Sequence, residues 1–191
     1  MTRSNEIMND NRPNLHFVCT HDEARELIGK ETEFYVGECG CRAKGPGCAR
    51  SKKDVCLEFH AITAAEGKGR RKVSRGEALA LVDLADEANL VARPFRDDAT
   101  RLRVDGICFC CDDCCGYFQE EDKFTCDKGD LIEETDRDEC TDCGGCIPVC
   151  YFGAREMDGD SLKVIRKNCF GCGLCVDACP VSCITMVDRD E

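Results

Sequence analysis

The stretch CTDCGGCIPVCYFGAREM, residues 140–157, returns 29 residues later as CFGCGLCVDACPVSCITM, residues 169–186. The copies align without a gap, so that Cys140 matches Cys169, Cys143 matches Cys172, Cys146 matches Cys175 and Cys150 matches Cys179. Each reads C-x2-C-x2-C-x3-C, and the second continues with Pro180. Three thiolates two residues apart can curl around three corners of an iron–sulfur cube only where the backbone turns tightly. Gly144, Gly145, Gly171 and Gly173 supply that freedom. The same turn aims backbone N–H groups at the sulfurs, where they stabilise added negative charge. The fourth cysteine then opens a short helix that carries it away from its own loop and toward its twin. The spacing therefore predicts one 4Fe–4S cluster on Cys140, Cys143, Cys146 and Cys179, and a second on Cys169, Cys172, Cys175 and Cys150. Zinc knuckles would need two separated C-x2-C pairs or histidine ligands, and no histidine follows residue 60.

This doubled run resembles a bacterial two-cluster ferredoxin domain covering residues 125–191. The resemblance implies a pseudo-twofold fold of two β-hairpins and two short helices, with the clusters close enough for electron tunnelling. LIEET (131–135) and LKVIR (162–166), ahead of the two motifs, read as short strands. One departure is Tyr151, which follows Cys150 where the family usually has proline. Proline fixes the direction in which the chain leaves the ligand, so its loss is expected to loosen that turn or shift one potential. Cys183, aligned with Ala154, reads as a small buried apolar residue.

Working outward, the chain has 191 residues and 20 cysteines, a usage that means either a disulfide framework or metal ligation. The first residues, MTRSNEIMNDNRPNL, lack an apolar secretory core, and no run is long enough to cross a bilayer. A reducing cytoplasmic setting with cysteines kept as ligands, and no membrane insertion, is the expectation. The net charge of −12 speaks against nucleic acid or anionic lipid as partners. That charge is concentrated: residues 119–139 hold 10 acids and 3 bases, whereas residues 1–118 hold 20 and 18.

The sequence divides into a flexible N-terminus (1–14), a cysteine-rich α+β domain (15–118), an acidic connector (119–139) and the dicluster domain. The fold class expected is α+β, with a ferredoxin-like dicluster domain at the C-terminal end. Thr20 with Glu23, and Ser74 with Glu77, form capping boxes that open two helices. On the second helix Leu81, Leu84, Ala85 and Ala88 share one face. EFYVG (33–37) and RLRVDG (101–106) read as strands, SKKDVCLEFHAI (51–62) as a further helix, and 40–47 as a loop.

Nine cysteines lie in this domain in two groups: Cys39, Cys41, Cys48 and Cys56, and then Cys108, Cys110, Cys111, Cys114 and Cys115 in ICFCCDDCCG (107–116). Four thiolates from each group suffice for a third metal centre, 4Fe–4S or zinc, the alternative being a set of reduced thiols. Adjacent side chains diverge, so at most three of the five in ICFCCDDCCG are expected on any one centre. The pattern resembles the N-terminal extensions of iron–sulfur proteins from anaerobes, and that resemblance names no reaction. Cys19 and Cys126 fall outside both groups, and KGRRK (68–72) reads as a solvated loop.

No triad, P-loop or GxGxxG is present, so no catalytic residue is assigned. The function expected is low-potential one-electron transfer, as a ferredoxin or as the electron-transfer subunit of an oxidoreductase complex. Donor and acceptor oxidoreductases would dock on the acidic face, and the oxygen lability of such clusters suggests an anaerobic setting. The alternatives are a redox- or metal-sensing regulatory protein, and an enzyme subunit that uses the third centre.

Overall fold

The computed structural model describes residues 12–44, 47–60, 69–119 and 125–189. The rest of the expected N-terminal tail (1–11), the end of the expected helix 51–62, Lys68 of the basic run and residues 120–124 of the acidic connector lie outside the described residues.

The N-terminal part is built on one seven-stranded sheet. Its elements in chain order are β1 (His16–Phe17), α1 (His21–Lys30), β2 (Phe34–Glu38), α2 (Gly40–Lys44), β3 (Asp54–Glu58), β4 (Arg71–Val73), α3 (Arg75–Glu87), β5 (Val91–Arg96), β6 (Val104–Cys110), α4 (Gly116–Gln119) and β7 (Cys126–Asp127). The strand order is β4-β2-β3-β6-β5-β1-β7. All neighbours pair antiparallel except β1 and β7, which are parallel.

Both capping boxes are present. The Thr20 and Ser74 side chains accept the N–H of Glu23 and Glu77, whose carboxylates reach back to the cap N–H groups. The helices pack against each other and against one sheet face. Ala24, Ile28, Leu81, Val82 and Ala85 meet Val36, Leu57, Ala92, Ile107 and Phe109 in a single buried cluster. Leu84 and Ala88 sit at its margin.

Three local expectations are corrected. Residues 54–58 form a strand rather than part of a helix. The run DVCLE alternates, with Val55 and Leu57 in the core, and both flanking strands are present to pair with it. The strand expected at 101–106 begins at Val104 and runs on to Cys110, so that two of the clustered cysteines are strand residues. Gly40–Lys44 is a short helix inside the expected loop.

The C-terminal part holds β8 (Leu131–Thr135), β9 (Arg155–Asp158), β10 (Ser161–Val164), a 3-10 turn (Arg166–Asn168), α5 (Leu174–Asp177) and β11 (Ile184–Asp188). β9 and β10 form a hairpin, and β8 pairs antiparallel with β11, so the two strand pairs bracket the two cysteine motifs. Gly171 has φ +85°, and a Cβ there would collide with the carbonyl oxygen of Leu131; only glycine fits the turn between Cys169 and Cys172.

β7 closes the sheet edge and leads into the C-terminal part, and aromatic rings pack the two parts together. Val18 N–H donates to Asp127 O (3.1 Å) and Gly129 N–H to Phe170 O (2.9 Å), and a Cβ on Gly129 would strike Val18 O. The Asp127 carboxylate takes Asn14 Nδ2 (2.6 Å) and Arg96 Nη1 (2.8 Å). Tyr117 and Phe118 of α4 meet Tyr151 and Phe152, and Phe152 stacks on Phe170 at 4.4 Å.

Candidate iron–sulfur sites

The repeat lines two cavities. Cys140, Cys143, Cys146 and Cys179 line the first, together with Cys183, Leu162 and Ile184. Cys150, Cys169, Cys172 and Cys175 line the second, together with Val149, Phe152 and Phe170. Each cavity thus gathers three cysteines from one copy and the fourth from the other. All twenty cysteines are free thiols. Four soft sulfur donors around each cavity are the donor set a cubane cluster takes, and the residues present fit two such groups.

Polar hydrogens converge on these sulfurs. Ala154 N–H donates to Cys150 Sγ (3.3 Å), Arg155 Nη1 to Cys146 Sγ (3.5 Å) and Arg137 Nη1 to Cys140 Sγ (3.5 Å). Arg155 also lines the second cavity and is fully buried, with its Nη2 held by Glu133 at 2.7 Å. One ion pair therefore touches both cavities. Sequence reading missed it, because β8 and β9 supply the partners from 22 residues apart. Burial pushes the Cys172 and Cys175 thiols up to about 12, so as free groups both are protonated at neutral pH and ligation must displace their protons.

The two cavities differ in setting. Cys143 at the first is exposed. At the second, Cys169 and Cys175 are buried, and Leu174 packs with Val18 and Val91 of the N-terminal part. Cys183 is buried as expected, with its sulfur 3.4 Å from Cys179 Sγ.

The N-terminal cysteines do not gather at one point. Cys41, Cys108, Cys110 and Cys115 line a chamber of about 100 Å³, with Cys39 and Cys114 at its wall. Their thiols touch in sequence, Cys56 to Cys108, Cys108 to Cys110, Cys110 to Cys115 and Cys115 to Cys41. Arg93, 3% exposed, donates to Cys110 and Cys115 at 3.6 Å and lies 4.0 Å over the Tyr117 ring. His16 stands 4.0 Å from Cys108. Burial, then the charges of Arg93, Arg101 and Arg96, lower its pKa to about 4, so it is neutral. Cys39 continues the thiol chain through its contact with Cys41, and Cys48, Cys111 and Cys114 form a second group that meets the chamber at Cys114. Arg42 and Arg93, like the Arg155–Glu133 pair, are sulfur contacts that the sequence did not announce. Arg42 at least follows Cys41 directly, whereas Arg93 lies 15 residues from the nearest cysteine and carries no such signal.

Residues 139–184 match the family model described as a 4Fe-4S dicluster domain. Ferredoxin-3 of Nostoc sp. is 31% identical over 74 residues, which cover 29% of this chain and 76% of that protein. The pyruvate synthase subunit PorD of Methanocaldococcus jannaschii is 33% identical over 57 residues, 29% of this chain and 66% of the relative. An archaeal-type glutamate synthase [NADPH] of Thermotoga maritima is 33% identical over 63 residues, but the chain spans only 12% of its length. No solved structure matches the chain. Among the described residues no helix is long and apolar enough to cross a membrane. The cysteine-lined cavities, the family match and the ferredoxin relative agree: through its C-terminal domain, an iron–sulfur electron-transfer domain for two 4Fe–4S clusters, the chain belongs to the dicluster ferredoxins.

Proposed function

We propose that the chain transfers electrons one at a time and at low potential, as the electron-transfer subunit of an oxidoreductase complex or as its dedicated ferredoxin. Cys140, Cys143, Cys146 and Cys179 hold one cluster, and Cys169, Cys172, Cys175 and Cys150 hold the other. The single observation that carries this reading is the crossed lining of the two cavities, three thiols from one copy and one from its twin. When bound, a four-thiolate cluster supplies a one-electron couple whose reduced form carries an added negative charge.

The chain's own residues tune and direct that couple. The N–H group of Ala154 and the guanidinium groups of Arg155 and Arg137 bring positive charge to the sulfurs, which favours the reduced form. Glu133 offsets part of the Arg155 charge and keeps the potential low. Leu162 and Ile184 at the first cavity, and Val149, Phe152 and Phe170 at the second, limit the access of water to the sulfurs. The first site, with Cys143 at the surface, faces a partner, and the second faces the N-terminal sheet.

The surface around the first site suits a basic redox protein. Glu134, Asp136 and Glu139 line a groove with Val181 and Ser182. Val181 and Met157 are 44% and 42% exposed and give the rim an apolar contact. Redox partners of this kind fit the relatives, among them a pyruvate synthase subunit and one component of a Na(+)-translocating ferredoxin:NAD(+) oxidoreductase complex from Acetobacterium woodii.

Redox titration of anaerobically prepared protein, read by EPR, tests the assignment. Two reducible centres are expected. Cys179→Ser should perturb the same signal as Cys140→Ser, and Cys150→Ser the same signal as Cys169→Ser. If Cys179→Ser instead follows Cys169→Ser, the crossed ligation is wrong. If the protein carries no reducible cluster, the function is wrong.

A further inference from the structure

The two vicinal pairs, Cys110–Cys111 and Cys114–Cys115, are each divided. Cys110 and Cys115 turn to Arg93, whereas Cys111 and Cys114 turn the other way and meet Cys48. Cys111 Sγ lies 3.5 Å from both Cys48 Sγ and Cys114 Sγ, and all three sulfurs are within 4.8 Å of one another. A single tetrahedral ion with metal–sulfur bonds of about 2.3 Å holds its sulfurs about 3.8 Å apart. A cubane places each thiolate on a different iron and spreads them around the cube. Among the described residues, no three repeat cysteines approach one another as these do. The spacing fits one ion.

A buried cation stands beside this group. Arg42 is 1% exposed, and its Nε and Nη1 find no hydrogen-bond partner among the described residues. Its contacts are sulfurs: Cys111 at 3.9 Å and Cys48, with Cys39 and Cys114 within reach of its charge. A guanidinium this buried, with sulfurs for its contacts, needs an anionic neighbour. Neutral thiols or a disulfide do not supply one, whereas a divalent ion with three thiolates carries a net charge of −1. The loops that bring the sulfurs together are clamped by Arg50 to Asp112 (2.9 Å) and by Ala49 N–H to Asp113 (2.9 Å).

We propose that Cys48, Cys111 and Cys114 form a three-thiolate site for one zinc-class ion, its fourth position left to solvent, distinct from both ferredoxin clusters and sharing only Cys114 with the wall of the thiol chamber. Arg42 is its counter-ion. Tyr151, the residue after Cys150, packs against the same core and under Arg50, so the site lies where the ferredoxin domain docks.

Metal analysis of anaerobically purified full-length protein should return one zinc per chain beside the iron of two clusters. Cys48→Ser with Cys114→Ser should lose that zinc while keeping iron and the ferredoxin EPR signals, which report that the fold survives. Cys56→Ser, at the far end of the thiol chain, should keep both. Independently of any variant, Co²⁺ added to zinc-stripped protein should give the intense visible bands of a tetrahedral thiolate complex, displaced by an equivalent of Zn²⁺. Zinc retained by the double variant, zinc lost equally from Cys56→Ser, or octahedral-type weak Co²⁺ bands would each overturn the site. Iron in place of zinc would overturn the metal class.

Discussion

Tyr151 shows what one side chain adds to the shared motif. Its hydroxyl donates to Asn89 O at 2.8 Å, its ring meets Phe118 edge-on at 5.8 Å, and Arg50 lies 5.1 Å above it. The residue that follows a proposed cluster ligand is thus a wedge between the two domains. From sequence it registered only as a missing proline, because Asn89 is 62 residues away and no local pattern links them. Tyr151→Phe removes one hydrogen bond and should cost about 1 kcal/mol. Tyr151→Ala should cost about 3 kcal/mol, by analogy with large-to-small changes at packed aromatic sites. Anaerobic denaturation should show this ordering, and limited proteolysis should cut the Ala variant faster between the domains. Equal cutting rates in both variants and the parent would rule out the wedge.

Elements whose signals are local were legible, and elements specified by their neighbours were not. Both long helices begin where their capping boxes place them, because the box satisfies orphan N–H groups within four residues. DVCLE misled because five residues are too few for their period to stand out; Val55 and Leu57, two apart, share a face only in a strand, and β2 and β6 are there to pair with it. In β6 the same dependence hid the partition of the cysteines: Cys108 and Cys110 point away from the core face that Ile107 and Phe109 fill. The cap energies are testable here. Ser74→Ala should destabilise the N-terminal domain by about 1 kcal/mol and leave cluster signals unchanged, since α3 touches neither cysteine-lined cavity. Unchanged stability on anaerobic denaturation would mean that the box is not formed in solution.

At the scale of the molecule, the doubled motif was readable because one repeat encodes both cavities. The N-terminal thiol groups were not, since their members come together from residues 39–56 and 108–115 only through the sheet. The assembled chain has a polarity: the second cavity is covered by the N-terminal domain, whereas the first opens beside Glu134, Asp136 and Glu139. Electrons exchanged with an outside partner should therefore pass the acidic rim. Exposed charges act over a Debye length of about 10 Å at 0.1 M salt, so attraction to a basic partner must weaken as salt rises. With reduced protein and cytochrome c as a basic probe, the stopped-flow electron-transfer rate should fall by about tenfold from low to physiological ionic strength. Glu134→Gln, Asp136→Asn and Glu139→Gln combined should lower the low-salt rate and flatten that dependence, with EPR signals unchanged. The rim is near Cys183, the N–H of Asp136 donates to Cys183 O (2.8 Å), and the Asp136 carboxylate accepts the N–H of Asp138 (2.9 Å). Glu134→Gln with Glu139→Gln alone is accordingly the milder control and should shift the dependence in the same direction. A salt dependence identical in all three proteins would show that partners approach by another face.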